Sequence, residues 1–184
     1  MARTISTMLP LGTKAPKFNL INVVDQKEYS LDDLKSEKAT VIMFICNHCP
    51  FVIHMLTELV NLANNYLPKS ISFVAISSND KEKYPQDGPD KMKELTVQYK
   101  FPFPYLSDET QNVAKAYQAV CTPEFYIFDK DLELVYRGRF DDSRPENDFP
   151  ITGYDLRNAL ENILAGTPVN PIQKPSIGCN IKWK

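Results

Sequence analysis

The chain has 184 residues, 43% of them hydrophobic and 24% charged, with a formal net charge of −2. That is enough length for one domain with a sizeable core, and the charge gives no electrostatic reason to expect nucleic acid or a membrane surface as a partner. The first ten residues lack the apolar stretch of a secretory signal, and no apolar run approaches the roughly 20 residues of a membrane helix, so residues 1–184 read as one cytoplasmic unit.

In chain order, the residues around Phe18 and Leu20 alternate apolar and polar and predict a strand, followed by a turn at Asp25-Gln-Lys27. Ser30 with Asp33 resembles a helix-start box for a short helix at Leu31 to Leu34. A continuous apolar run from Thr40 to Ile45 predicts a buried central strand. From Pro50 onward Val52, Met55, Leu56, Leu59, Ala63, Tyr66 and Leu67 recur at spacings of three and four, which predicts an amphipathic helix ending near Pro68 with His54 on its exposed polar face. Ile71 to Ser77 is a second buried strand, and Ser78 to Asp87 a polar loop. Pro89 suits the first turn of a helix reaching Tyr99. Prolines 102 and 104 limit the next segment to a short edge strand.

Asp108 with Gln111 marks another helix start, and Val113, Ala114 and Tyr117 give that helix a packing face. Phe125 to Phe128 and Glu133 to Tyr136 read as a hairpin turning at Asp129-Lys-Asp131. Thr152 with Asp155 opens a last helix that Gly166 closes. Three prolines make the tail, 167–184, extended. Strands alternating with helices, then a hairpin and a helix, predict an α/β layer with a mixed sheet between helices. The six glycines form no phosphate loop or dinucleotide fingerprint, so no cofactor is expected.

The chemistry concentrates at Cys46-Asn-His-Cys49-Pro50, where the central strand meets the long helix. Four cysteines are too few for a disulfide scaffold, and a C-x-x-C at such a junction points to redox or metal chemistry. Pro50 biases Cys49 away from helical backbone and itself suits the first helical position, so Cys49 becomes the N-cap and Cys46 the strand end. A thiol at a helix N-terminus is favoured as thiolate, which makes Cys49 the candidate nucleophile and Cys46 either a resolving partner or a core residue. His48 either raises the thiolate character of Cys49 or is a solvated loop residue. Adjacent His48 and Cys49 are poor ligand spacing beside Cys46, and no second Cys/His cluster completes a set of four, so no metal site is expected. Cys121 before Thr122-Pro123 reads first as a buried residue and second as a redox partner.

Together these residues resemble the thioredoxin superfamily, in its redoxin branch of alkyl hydroperoxide reductase and thiol-specific antioxidant proteins. The opening Gly12-x-x-Ala15-Pro16-x-Phe18-x-Leu20 with Ser30-Leu31-x-x-Leu34 is similar to the redoxin N-terminal extension, and Thr122-Pro123 before Phe125 matches the cis-proline segment. Phe44-Ile-Cys-Asn-His-Cys-Pro50, Cys121-Thr-Pro123, Phe140-Asp-Asp-Ser-Arg-Pro145 and Pro175-Ser-Ile-Gly-Cys-Asn-Ile-Lys-Trp183 resemble an uncharacterised peroxiredoxin-like group. The resemblance implies a thioredoxin-like fold over the whole chain, with a mixed central sheet flanked by helices, a redoxin N-terminal extension and an extended C-terminal tail. It also implies that Thr122 and Pro123 lie beside the reactive cysteine.

Three departures stand against it. The peroxiredoxin Pro-x3-Thr-x2-Cys pattern would put Ala39 with Met43, or Ile42 with Cys46, at its proline and threonine positions, and Val52 replaces the second thioredoxin cysteine. No arginine occurs between Lys100 and Asp129, so only Arg139 or Arg144 is left to assist a peroxide. The resulting expectation is a thiol-disulfide oxidoreductase acting through Cys49, with Cys46, Cys121 or Cys179 as redox partner. The alternatives are an antioxidant thiol peroxidase and a non-catalytic redox-sensing domain. Partners would be a protein or small-molecule disulfide, or a peroxide, and an external thiol reductant, with a homodimer left open. The tail carrying Cys179 and Trp183 is expected to fold back over the site.

Overall fold

The computed structural model describes residues 3–184. Its elements run β1 (Arg3–Ile5), β2 (Asn19–Asn22), β3 (Glu28–Ser30), α1 (Leu31–Leu34), β4 (Ala39–Phe44), α2 (Pro50–Tyr66), β5 (Ile71–Ser77), α3 (Pro89–Tyr99), β6 (Tyr105–Ser107), α4 (Asn112–Ala116), β7 (Cys121–Thr122), β8 (Glu124–Asp129), β9 (Leu134–Gly138), α5 (Tyr154–Ala165) and β10 (Ile177–Asn180), with two short 3-10 turns. Seven strands form a mixed sheet in the order β3-β2-β6-β5-β4-β8-β9. β4 pairs in parallel with β5 and antiparallel with β8, so all six of its residues are buried.

The period-2 alternation of β4 divides the core. Val41, Met43 and Ile45 face Val52, Leu56 and Leu59 of α2 and Leu156 and Leu160 of α5. Ile42 and Phe44 turn to the other side, against Leu31, Val113, Ala114 and Tyr117. The sheet is therefore covered on both faces, as its apolar strands require. Among the described residues no helix is long and apolar enough to cross a membrane.

Several local signals act as their chemistry predicts. Ser30 and Asp33 form both halves of a capping box on α1, and Asp129 Oδ1 accepts from the amides of Asp131 and Glu133 at the hairpin turn. Gly166 takes the left-handed conformation (φ +69°) that ends α5.

Others differ. β6 is an inner strand between β2 and β5, not an edge, because Pro102 and Pro104 both precede it and leave the Tyr105–Ser107 ladder donors free. Gln111 rather than Asp108 caps α4; Asp108 lies further back and accepts from the amide of Ala114 at 2.9 Å. Asp155 does not close a box with Thr152, since Arg139 takes its carboxylate at 2.6 Å, and Asp141 receives the amides of Thr152 and Gly153 instead. β1, β3, β7 and β10 are too short to show a period.

β1, β10 and β7 make a second, antiparallel sheet of three strands. Behind it lies a buried ion pair: Glu124 Oε1 accepts from Arg137 Nη2 at 2.7 Å and Nε at 3.1 Å, with both side chains at 0% exposure. Ser6 Oγ donates to the same oxygen, and the amide of Val120 to Oε2 at 2.9 Å. Arg137 also donates to Gln118 O at 2.8 Å and covers the Tyr126 ring. Removing one partner leaves the other charge buried and uncompensated, which costs about 3–5 kcal/mol. Arg137→Met should lower the urea-unfolding free energy by about that much, with the double variant Glu124→Gln/Arg137→Met recovering at least half. A loss under about 1 kcal/mol in the single variant would show that the pair does not hold this corner together.

Candidate functional site

Cys49 is the N-cap of α2 with extended backbone (φ −74°, ψ 120°), and Pro50 is the first helical residue, as the proline placement predicts. Opposite it stands β7, followed by the cis Thr122-Pro123 bond. β10 pairs with β7 in the register Cys179 opposite Thr122, and this brings Cys179 Sγ to 2.9 Å from Cys49 Sγ. The Cys49 thiol also lies 3.1 Å from Thr122 O, and Cys46 Sγ lies 3.3 Å from Thr122 Oγ1. All four cysteines are free thiols and buried.

Their proton affinities differ sharply. Cys49 is pulled down to about 5, first by the hydrogen bond from the Cys46 thiol and further by the Cys179 thiol and amide, against a burial penalty. The Val52 amide contributes too, but its N–H bonds the Cys49 carbonyl at 3.0 Å, so it acts as part of the positive helix end rather than as a cap on sulfur. The same bond to Cys49, with burial and the nearby Asp87 carboxylate, holds the Cys46 thiol well above the ordinary range. Burial and then the Cys49 hydrogen bond push Cys179 up to about 12. Cys121 is driven up by burial and by Glu124. One thiolate is thus served by two thiols that keep their protons.

The sequence-derived residues separate into two groups. Cys49, Cys46, Thr122, Pro123 and Cys179 come together; Cys121 points away, toward Pro123 O and Glu124 at 3.9 Å, which fits its reading as a buried residue. His48 is not a solvated loop residue: its ring stacks on Tyr84, and Nδ1 lies 2.6 Å from Asp87. His54 is half-buried rather than exposed. It lines a cavity of about 30 Å³ beyond Pro123 with Met55, Arg144 and Ile177, room for a single water. Arg139 is taken by Asp142 and Asp155, while Arg144 lines this same cavity beside Pro123. Arg137 and Asp87 escape sequence reading. Arg137 sits in an alternating strand with nothing to mark it as buried, and Asp87 ends a polar loop that looks solvated.

Trp183 lies away from the thiols, near Lys115, while the backbone around it is pinned by Ile181 N to Val120 O, Lys182 N to Asn79 Oδ1 and Gln111 Nε2 to Lys182 O. The tail therefore folds back over the site through β10.

Residues 11–137 match the AhpC/TSA family. The chain belongs to the AhpC/TSA family. A comparison with curated proteins gave no match. Among solved structures, an uncharacterised conserved protein of Geobacillus kaustophilus is 61% identical (TM-score 0.98), with 100% of this chain and 97% of that one covered. A hypothetical protein of Sinorhizobium meliloti 1021 is 42% identical (TM-score 0.95, 98% of each chain). The thioredoxin domain of a thiol-disulfide oxidoreductase from Bacteroides vulgatus is similar at 18% identity and a TM-score of 0.61, over 82% of this chain and 98% of that one, a likeness of fold. The fold is thioredoxin-like, with a mixed central sheet flanked by helices. Membership of the AhpC/TSA family supports redox thiol chemistry in general.

Two measurements check this site. Because Cys49 is deprotonated above about 5, its alkylation rate in reduced protein should stay level from neutral pH down to about 6 and fall about tenfold per pH unit below 5. Cys46→Ala, which removes the neighbouring thiol that does most to stabilise the thiolate, should move that midpoint upward by at least about one unit; an unchanged midpoint would remove Cys46 from the account. Gly178 packs so tightly on β7 that an added Cβ would lie 2.0 Å from Thr122 O. Gly178→Ala should therefore displace β10 and speed iodoacetamide labelling of the buried Cys49 about tenfold or more, whereas an unchanged rate would mean that β10 does not shield it.

Proposed function

We propose that this protein is a thiol-disulfide oxidoreductase in which Cys49 attacks a substrate disulfide and Cys179 resolves the product. The observation that carries this reading is the 2.9 Å approach of Cys49 Sγ and Cys179 Sγ across the β10–β7 pairing. A disulfide needs about 2.05 Å, so closure asks for less than about 1 Å of movement.

The Cys49 thiolate attacks one sulfur of the substrate disulfide, and the other leaves as a thiolate. Cys49 is then in a mixed disulfide and carries no charge. That removes one of the two main influences holding the proton on Cys179 and leaves burial as the chief one. Cys179 gives its proton to the departing substrate thiolate and attacks Cys49 Sγ; the second substrate sulfur then leaves as a thiolate and takes a proton from water, so the substrate is released as two thiols. The protein has supplied two electrons and holds a Cys49–Cys179 disulfide, which an external thiol reductant returns to two thiols. Cys46 serves as the donor that keeps Cys49 ionised, and the Thr122-Pro123 backbone positions the reacting sulfur.

Peroxidase chemistry is the competing reading, since a Cys49 sulfenic acid would condense with the same Cys179 and release water. The arginine contacts argue against it: Arg137 is held by Glu124, and Arg139 by Asp142 and Asp155.

Reduced wild type, Cys49→Ser, Cys46→Ser and Cys179→Ser should be supplied in turn with a protein disulfide and with hydrogen peroxide, and the bridges mapped by mass spectrometry. Turnover of the protein disulfide should fall at least about a hundredfold in Cys49→Ser. Cys179→Ser should accumulate the mixed disulfide, and oxidised wild type should carry Cys49–Cys179. A Cys46–Cys49 bridge would overturn the role of Cys179, faster consumption of peroxide than of disulfide would replace exchange by peroxidase activity, and no turnover of either would leave a sensing domain.

A further inference from the structure

Beside the Cys49–Cys179 pair lies a cluster that shares only Cys46 with the exchange chemistry. Cys46 Sγ, a ring nitrogen of His48 and a carboxylate oxygen of Asp87 all lie within 4.8 Å of one another. The loop between β4 and α2 supplies the first two, and Asp87 arrives from the polar loop after β5. Asp87 has a side-chain exposure of 0% and His48 of 17%. The tightest approach is at His48, whose buried Nδ1 lies only 2.6 Å from Asp87 Oδ2. An imidazole nitrogen, a carboxylate oxygen and a cysteine sulfur are thus three metal-ligating atoms gathered in one buried space.

We propose that Cys46, His48 and Asp87 bind a divalent cation of the zinc class. A thiolate, an imidazole and a carboxylate together suit that borderline ion better than calcium or magnesium, which take oxygen ligands. Zinc–ligand bonds of about 2.0–2.3 Å in a tetrahedron put donor atoms about 3.3–3.6 Å apart. The cluster reaches this by opening the His48–Asp87 contact and drawing Cys46 in by roughly 1 Å, a shift within reach of the loop that carries His48.

The surroundings are those of a held ligand set. The Asn47 amide donates to Asp87 Oδ1 and Asn79 Nδ2 to Oδ2, each at 2.8 Å, and the Tyr84 ring fixes the imidazole plane. Three protein ligands leave a fourth position for water or another small ligand. Binding displaces the Cys46 thiol proton to solvent and forms a metal–sulfur bond. It therefore masks Cys46 from oxidation and removes the hydrogen bond that Cys46 gives Cys49. Metal occupancy and Cys49 reactivity are linked, but the binding itself does not depend on the exchange reading.

The full chain, reduced with a phosphine and stripped by a chelator, should be titrated with Zn2+ and with Co2+. One equivalent should bind, and the cobalt form should show tetrahedral d–d bands and a sulfur-to-cobalt charge-transfer band that Cys46→Ser abolishes. His48→Ala and Asp87→Asn should each weaken binding at least tenfold, and Cys121→Ala should leave it unchanged. The part-exposed His48 provides the test if Asp87→Asn does not fold. Absence of binding would overturn the proposal. So would binding that resists His48→Ala yet disappears in Cys49→Ser or Cys179→Ser, because that result assigns the ion to the thiol pair.

Discussion

The corner of the molecule that holds Cys49 rests on one carboxylate. Glu124 opens the strand next to the central one, is wholly buried, and ties together Ser6 from the N-terminal segment, the Val120 amide before the cis-proline and Arg137 from the hairpin's second strand. A charge buried so completely persists only when it is paired and fully bonded. The loop that presents Thr122 to Cys49, and the strand that presents Cys179 to Thr122, are both built out from this point. The chain thus spends a costly electrostatic arrangement on holding a few backbone atoms still.

With those atoms fixed, four buried thiols become inequivalent. Burial alone would keep all four protonated. Cys49 escapes because it alone sits at the start of a long helix and receives hydrogen bonds from two neighbours. Each donor becomes harder to ionise as it helps, so the charge is confined to one sulfur. Cys121, next to Thr122, faces the Glu124 carboxylate instead and keeps its proton. Reactivity here is decided by which side of β7 a side chain occupies, a difference of one residue in register.

Much of this was legible in the sequence, and the limits have physical causes. The long helices and buried strands declared themselves through period and length, and Pro50 fixed Cys49 as the N-cap because proline restricts its predecessor. Cys179 could be noticed but not located: a proline-rich segment shows where a chain is extended, not what it pairs with. The strands of two to four residues that seat it carry too few side chains to show alternation. His54 was read as solvated because helical spacing marks the face of α2 and says nothing of what the loop at Ser143 to Pro145 lays over it. Arg137 and Asp87 were hidden for a related reason, since composition makes charged residues surface residues until tertiary structure shows otherwise.

The segment leading into the final strand has one more consequence. β9 ends the large sheet and would offer solvent a row of unpaired amides and carbonyls. Gln173 instead bonds Arg137 N and Val135 O through its side-chain amide, Lys174 O receives Arg139 N, and Ser176 Oγ donates to Gly138 O. Residues 12–15 complete the cover at Leu132 and Leu134. An unprotected sheet border invites strands from other molecules. The stretch that brings Cys179 to Cys49 therefore also closes this sheet border, so one docked segment completes both the thiol pair and the edge of the large sheet.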